Sequence, residues 1–172
     1  LILGLLVTGA GLLLPALFPI PALPAPTGPY SIGTLSTILV DSKRKELYSS
    51  DPNEPRAIMV QLWYPANPAA GAKPAPWIDN ISIIGPSLST MLGLPPFLLD
   101  HVVYAHSHSF PNAPLNQAQI SYPVIFFSHG WDSVRVQSTF LMEELASHGY
   151  VVAAIDHTYG ARVVVFPDGR VA

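Results

Sequence analysis

The sequence predicts an α/β fold in which antiparallel edge strands lead into a parallel βαβ sheet. Residues 33–40 and 56–64 are strand-like, and in the second stretch apolar residues alternate with a period of two. Residues 122–128 and 150–155 are short apolar runs rich in β-branched and aromatic side chains, with a helix-like stretch between them. Strand, turn, helix and strand in this order form a βαβ unit, whose crossover is right-handed.

Composition limits the possible functions. The chain has 172 residues, 8 Lys and Arg against 11 Asp and Glu, and a net charge of −3, so one domain is expected and no nucleic acid is expected as a partner. It contains no cysteine, which excludes a disulfide scaffold, a thiolate zinc site and a cysteine nucleophile. Only 11% of the residues are charged and 49% are hydrophobic, which indicates a membrane segment or an unusually apolar surface.

Residues 1–26 are predicted to be an apolar membrane segment followed by a proline-rich linker. No charged residue precedes Asp41, and the proline-rich part begins at Pro15. A membrane-spanning helix needs about 20 apolar residues, so this is a partial transmembrane segment that upstream sequence would complete. A signal-peptide core and a buried core segment are the alternatives. The anchor predicts a membrane-anchored protein that contacts lipid through this segment and has an extracytoplasmic domain.

Turn-forming residues separate the first strands from the βαβ unit. Residues 65–76 contain four prolines and are expected to be a loop at the rim of the sheet. Residues 86–94 are predicted to form a short helix, with Ser87 as its cap. The polar stretch 104–121 is expected to be a functional loop.

Local sequence signals also predict the strand, the helix ends and the hairpin in and after the βαβ unit. Residues 122–128 are predicted to be a strand buried on both faces. Asp132 or Ser133 is expected to cap the following helix, which Gly149 would end in a left-handed conformation. Residues 163–171 are expected to form a β-hairpin with Pro-Asp-Gly at its turn.

A ligand site is expected where the parallel strands end. Ligands of open α/β sheets bind beyond the carboxyl ends of the strands, so residues 129–133 and 156–160 should border the site. His106 and His108 have the spacing to face one metal from a strand, but the pattern suggests no third ligand, and no metal site is predicted.

Five segments, in order along the chain, resemble the platelet-activating factor acetylhydrolase (plasma and type II) family of α/β-hydrolases. The segments are Gly28-Pro-Tyr-Ser-Ile-Gly33, Leu62-Trp-Tyr-Pro65, Leu92-Gly-Leu-Pro95, Asn112-Ala-Pro-Leu115, and Ser128-His-Gly-Trp131 with residues 145–157. The resemblance covers residues 27–172, which it identifies as the N-terminal part of an α/β-hydrolase domain. Dienelactone-hydrolase-like and polyester-cleaving lipase families share the last block.

The resemblance implies a serine carboxylic-ester hydrolase that acts on lipid or short-acyl esters, such as platelet-activating-factor-like phospholipids, without a cofactor. It implies that the backbone N–H of Trp131 is one oxyanion-hole donor and that its indole walls the acyl pocket. Gly130 would permit close backbone approach, and His129 would support the loop by hydrogen bonding. Asp156 and His157 are candidate substrate-binding residues at the pocket rim.

The chain departs from the family pattern because it lacks the G-x-S-x-G nucleophile elbow. Residues 85–89 come closest, but they end in Ser and precede the βαβ unit. The nucleophile, acid and base are therefore expected beyond Ala172, the chain is interpreted as truncated before the nucleophile, and alone it should not hydrolyse esters. The alternative is a catalytically inactive α/β-hydrolase-like binding or structural module tethered to a membrane. The sequence does not predict the oligomeric state.

Overall fold

The computed structural model describes residues 16–172 and, before them, Gly4, Thr8, Gly9, Gly11 and Leu13. The predicted transmembrane segment therefore lies largely outside the described residues. Among the residues that are described, no helix has the length and apolar character needed to cross a bilayer.

The core of the fold is a five-stranded sheet with the strand order β3-β1-β2-β5-β4. The strands are β1 (Ser31–Lys45), β2 (Pro55–Ala66), β3 (Ser109–Pro111), β4 (Val124–Ser128) and β5 (Val151–Asp156). The pairs β1–β2 and β2–β5 are antiparallel, and β4–β5 is parallel. The predicted mixed sheet is thus confirmed. The short strand β3, inside the predicted polar loop, pairs in parallel with β1, so β1 is not an edge strand along its whole length.

The first helical region begins earlier than predicted. Helix α1 spans Ile81–Met91 with Pro86 inside it, and a 3₁₀ helix follows at Pro96–Tyr104. The prediction that Ser87 caps this helix is wrong, because the N-cap position is Asn80, whose φ is 55°. Burial of Ile81 and Ile84 favours the additional first turn.

The second helix begins later than predicted. Helix α2 spans Thr139–Ser147, so neither Asp132 nor Ser133 caps it. The chain first passes through a tight turn, in which Asp132 has a φ of 59°. Gly149 has a φ of 94°, which confirms the predicted left-handed end of the helix.

Strand β4 is not buried on both faces, contrary to the prediction. It lies at the edge of the described sheet, and the side chain of Phe126 is 74% exposed. An apolar run indicates a strand but does not distinguish a central position from an edge position.

Further along, residues 163–171 fold back as predicted, with an antiparallel bridge between Val165 and Val171.

Apolar side chains form two clusters that pack against the sheet. The larger cluster joins the sheet to the helices and includes Trp63, Ile84, Met142 and Val152. The smaller cluster lies under the C-terminal segment and contains Ala57, Met59, Val164 and Phe166. The βαβ unit is therefore fixed to the central strands.

The residues before β1 are bound to the C-terminal half of α2. The Glu144 carboxylate accepts hydrogen bonds from the Thr27 backbone N–H at 2.8 Å and the Thr27 hydroxyl at 2.5 Å. A Cβ on Gly28 would overlap the backbone carbonyl of Ser147, so only glycine fits this close approach. The hydrogen bonds from Thr27, with a smaller effect of His148, hold the pKa of Glu144 below its ordinary value of 4.5.

We expect the Glu144 contact to make stability pH-dependent. Because its pKa is lowered in the folded state, Glu144 contributes stability above its unfolded pKa, and this contribution is lost as the pH falls through the folded pKa. Acidification should therefore destabilise the wild-type chain more than the Glu144→Gln variant, measured as urea midpoints between neutral pH and about pH 3. The control Asp100→Asn changes an exposed carboxylate and should keep the wild-type pH dependence. Parallel curves for wild type and Glu144→Gln would contradict the prediction.

Candidate active site

The carboxyl ends of β4 and β5 form one edge of the sheet. Ser128 pairs with Ile155 in the parallel register, so the segments that follow the two strands lie side by side. The β1–β2 hairpin reaches the same edge, because β2 is antiparallel to β5 and Met59 pairs with Asp156. This is the edge at which the sequence predicts a ligand site.

The residues after β4 form a type II turn. The Ser133 N–H donates to the Gly130 carbonyl at 3.2 Å, which makes Trp131 and Asp132 the central residues. Asp132 has a φ of 59°, whereas Trp131 is not in the left-handed region, and this combination is the type II pattern. The Asp132 carboxylate pairs with the Arg162 guanidinium at 3.1 Å.

The backbone N–H of Trp131 is available to a ligand. The Asp132 N–H donates to the Gly160 carbonyl, but among the residues described the Trp131 N–H donates no hydrogen bond. The Trp131 indole is 89% exposed, so within the described chain it does not wall a closed pocket. A Cβ on Gly130 would meet nothing within 4 Å, which leaves open space beside the turn. A backbone N–H that has no partner in the protein can donate a hydrogen bond to a negatively charged oxygen, as the donors of an oxyanion hole do.

His129 is buried, and protein atoms contact both of its ring nitrogens. Its Nδ1 lies 2.7 Å from the Gly130 carbonyl oxygen and must carry the proton. Its Nε2 accepts the His157 backbone N–H at 3.4 Å, a contact that fits the tautomer protonated on Nδ1. With its lone pair engaged, His129 is suited to supporting the loop and not to removing a proton from a nucleophile.

Asp156 lies in the interior and not at the pocket rim predicted from the sequence. It is 1% exposed, and its Oδ1 accepts the Arg135 backbone N–H at 2.5 Å while Oδ2 pairs with the Arg135 guanidinium. The Arg135 Nε continues the network to Gln61 at 3.2 Å, and Gln61 donates to the Thr34 hydroxyl at 3.0 Å. Asp156 is internal because its side chain points to the face of the sheet on which Arg135 packs.

His157 points away from Asp156, as the period of two in a strand predicts. Its Nε2 lies 2.7 Å from the Ser128 hydroxyl, and its ring stands edge-to-face against His129 with a centroid separation of 5.2 Å. His157 also lines a groove of about 360 Å³. The other lining residues are Leu39, Val40, Asp41, Arg44, Arg56 and Ile58.

Two residues of this edge were missed by sequence reasoning, namely Ser128 as a partner of His157 and Arg135 as a partner of Asp156. The sequence signal for Arg135 is a single charged residue between Val134 and Val136. His106 and His108 do not share a site, because His106 Nδ1 bonds the Tyr104 carbonyl and His108 Nδ1 lies 3.2 Å from the buried Glu143.

The mixed sheet, the βαβ unit and the turn after β4 define a fold of the esterase α/β-hydrolase type. The ferulic acid esterase from Streptomyces cinnamoneus superposes on the chain with a TM-score of 0.69 and 33% sequence identity. The match covers 88% of this chain and 40% of that esterase.

Residues 17–164 match the sequence model of the family described as platelet-activating factor acetylhydrolase, isoform II, and the chain belongs to this family. It is 33% identical over 140 residues to platelet-activating factor acetylhydrolase of Cavia porcellus and 30% identical over 144 residues to that of Canis lupus familiaris. These alignments cover 78% and 81% of this chain but 28% and 29% of the relatives, so the chain spans less than a third of their length. The resemblance found in the sequence is thus confirmed.

Proposed function

We propose that the chain is the N-terminal part of a serine carboxylic-ester hydrolase that acts on lipid or short-acyl esters, such as platelet-activating-factor-like phospholipids. The observation that carries the proposal is the unpaired Trp131 N–H in an open turn at the carboxyl edge of the parallel strands. Family membership and the similarity to an esterase support ester chemistry.

The described residues would supply half of the oxyanion hole. When a serine attacks the ester carbonyl, negative charge develops on the carbonyl oxygen, and the Trp131 N–H would donate to that oxygen. In this fold the second donor is the N–H that follows the nucleophile. The nucleophile, acid and base of the triad would lie beyond Ala172.

Ser128 is the rival nucleophile, because its hydroxyl lies 2.7 Å from His157 Nε2. A catalytic histidine is normally oriented by a carboxylate on its other nitrogen. In the described part of the chain, no carboxylate lies within hydrogen-bonding distance of His157 Nδ1. Ser128 should therefore be unreactive.

A fluorophosphonate probe, which labels activated serines, tests the assignment. In the longer protein that the proposal requires, we expect peptide mapping to place the label on one serine beyond Ala172 and hydrolysis of a short acyl ester to stop. Labelling should persist in Ser128→Ala. A label on Ser128 would overturn the assignment of the nucleophile, and a longer protein without labelling or ester turnover would favour the inactive binding module.

We also propose that residues 1–26 anchor the protein to a membrane, with the domain on the extracytoplasmic side. The proposal is supported by the absence of charge before Asp41 and by an apolar groove of about 590 Å³ that Phe18 and Ile20 form with the 3₁₀ helix. Deleting residues 1–26 should move the protein from the membrane fraction to the soluble fraction, and unchanged membrane association would contradict the anchor.

A further inference from the structure

We propose that Asp156 and His157 are paired positioning residues, which fix the two ends of the segment 128–135 and so hold the Trp131 N–H in place. The two residues are adjacent at the end of β5, and their side chains diverge to opposite ends of this segment. We call this pair the β5 clamp. Its catalytic consequence rests on the function proposed above, whereas its structural consequence can be tested in the chain alone.

His157 holds the first end of the segment through two contacts. Its ring Nε2 bonds the Ser128 hydroxyl at 2.7 Å, and its backbone N–H donates to His129 Nε2 at 3.4 Å. His129 then passes the constraint on to the next residue, because its Nδ1–H donates to the Gly130 carbonyl at 2.7 Å. The residue that precedes Trp131 is therefore fixed through His129.

Asp156 holds the other end, also through two contacts. One carboxylate oxygen accepts the Arg135 backbone N–H at 2.5 Å, and the other pairs with the Arg135 guanidinium. Arg135 is 4% exposed and Asp156 is 1% exposed, so water does not compete for these contacts. The Arg135 side chain also bonds Gln61 on β2, which ties this end to the centre of the sheet.

The middle of the segment contacts the chain that follows β5. The Asp132 N–H donates to the Gly160 carbonyl at 3.4 Å, and the Arg162 N–H donates to the Ser133 carbonyl at 2.8 Å. The backbone N–H groups of Asp132 and Ser133 and the carbonyl of Ser133 are thus hydrogen-bonded. The Trp131 N–H donates no hydrogen bond in the described part of the chain.

Such a turn needs support from outside. Asp132 occupies a left-handed conformation, which aspartate adopts more readily than most residues but still at some cost, so an isolated turn would also populate other conformations. An oxyanion donor is effective when its position is fixed before the charge develops, because the protein then does not have to reorganise during the reaction. The β5 clamp supplies this support from two consecutive residues.

Kinetics of the longer protein test the catalytic consequence. His157→Ala and Ser128→Ala should each lower kcat for a short acyl ester by about 10- to 100-fold with little change in KM, the loss that small misplacements cause. The double variant should be no slower than the single variants, because both remove the same contact. His157→Gln, which keeps a hydrogen-bonding group within reach of Ser128, should recover part of kcat, and His106→Ala is the remote control. An unchanged kcat in His157→Ala, or losses that multiply, would overturn the catalytic role.

Hydrogen exchange in the present chain tests the clamp independently of activity. His157→Ala should speed exchange of the Asp132 and Ser133 amides about tenfold or more, because the Ser133 amide is hydrogen-bonded to Gly130 within the turn and the Asp132 amide is hydrogen-bonded to Gly160. Exchange of β1 and β2 amides should not change, and His106→Ala should leave the turn unaffected. Unchanged turn amides in His157→Ala would overturn the clamp. Faster exchange in a longer protein without ester turnover would retain the clamp and reject the proposed function.

Discussion

Replacing Asp156 by alanine should lower the free energy of unfolding by about 3–5 kcal/mol, the cost of breaking a buried ion pair by removing one partner. The variant leaves the Arg135 guanidinium buried at 4% exposure, with Gln61 as its one remaining side-chain partner among the described residues. It also leaves the Arg135 backbone N–H without its acceptor. Urea unfolding followed by tryptophan fluorescence measures the change.

Two control variants separate burial from charge. Asp41→Ala also breaks an aspartate–arginine pair, but this pair is solvent-accessible, with the Arg44 side chain 76% exposed, so its loss should shift the midpoint far less than Asp156→Ala does. The double variant Asp156→Leu with Arg135→Met removes both buried charges together and should recover much of the stability. A loss below about 1 kcal/mol in Asp156→Ala, the range of exposed pairs, would contradict the buried role of the pair.

The strands could be predicted because their signals are local. The period of two in residues 56–64 and the apolar runs 122–128 and 150–155 each occupy consecutive positions, and the structure places strands on all three. Gly149 likewise marks the end of α2 through its own backbone preference. The turn after β4 was found for the same reason, since Ser128-His-Gly-Trp131 is continuous in sequence.

The contacts that hold this turn could not be predicted, because they join distant residues. Asp156 was expected at the rim, since its position after a strand is known from the sequence but its partner Arg135, 21 residues away, is not. The sequence predicts Ser87 to be a helix cap, but Ser87 lies inside α1 and its hydroxyl accepts a hydrogen bond from Arg162. Strand β4 shows the same limit, because its place at the edge depends on strand order and not on its own residues.

The largest effect on activity is expected from Trp131→Pro, which removes the proposed oxyanion donor. Proline has no backbone N–H, and loss of one oxyanion-hole donor lowers kcat by about 10²- to 10³-fold. The substitution suits the backbone, because Trp131 is the first central residue of a type II turn, a position at which proline is common. It also breaks no hydrogen bond found in the described part of the chain.

The matched control is Trp131→Ala, which removes the exposed indole but keeps the N–H. In the longer protein, Trp131→Pro should be about 10²- to 10³-fold slower than Trp131→Ala in kcat, with similar thermal stability. If the indole and not the N–H matters, the two variants will be equally slow, and KM will change more than kcat. Equal kcat values in the two variants would therefore remove Trp131 from the oxyanion hole, because the backbone N–H is the group that only the proline variant lacks.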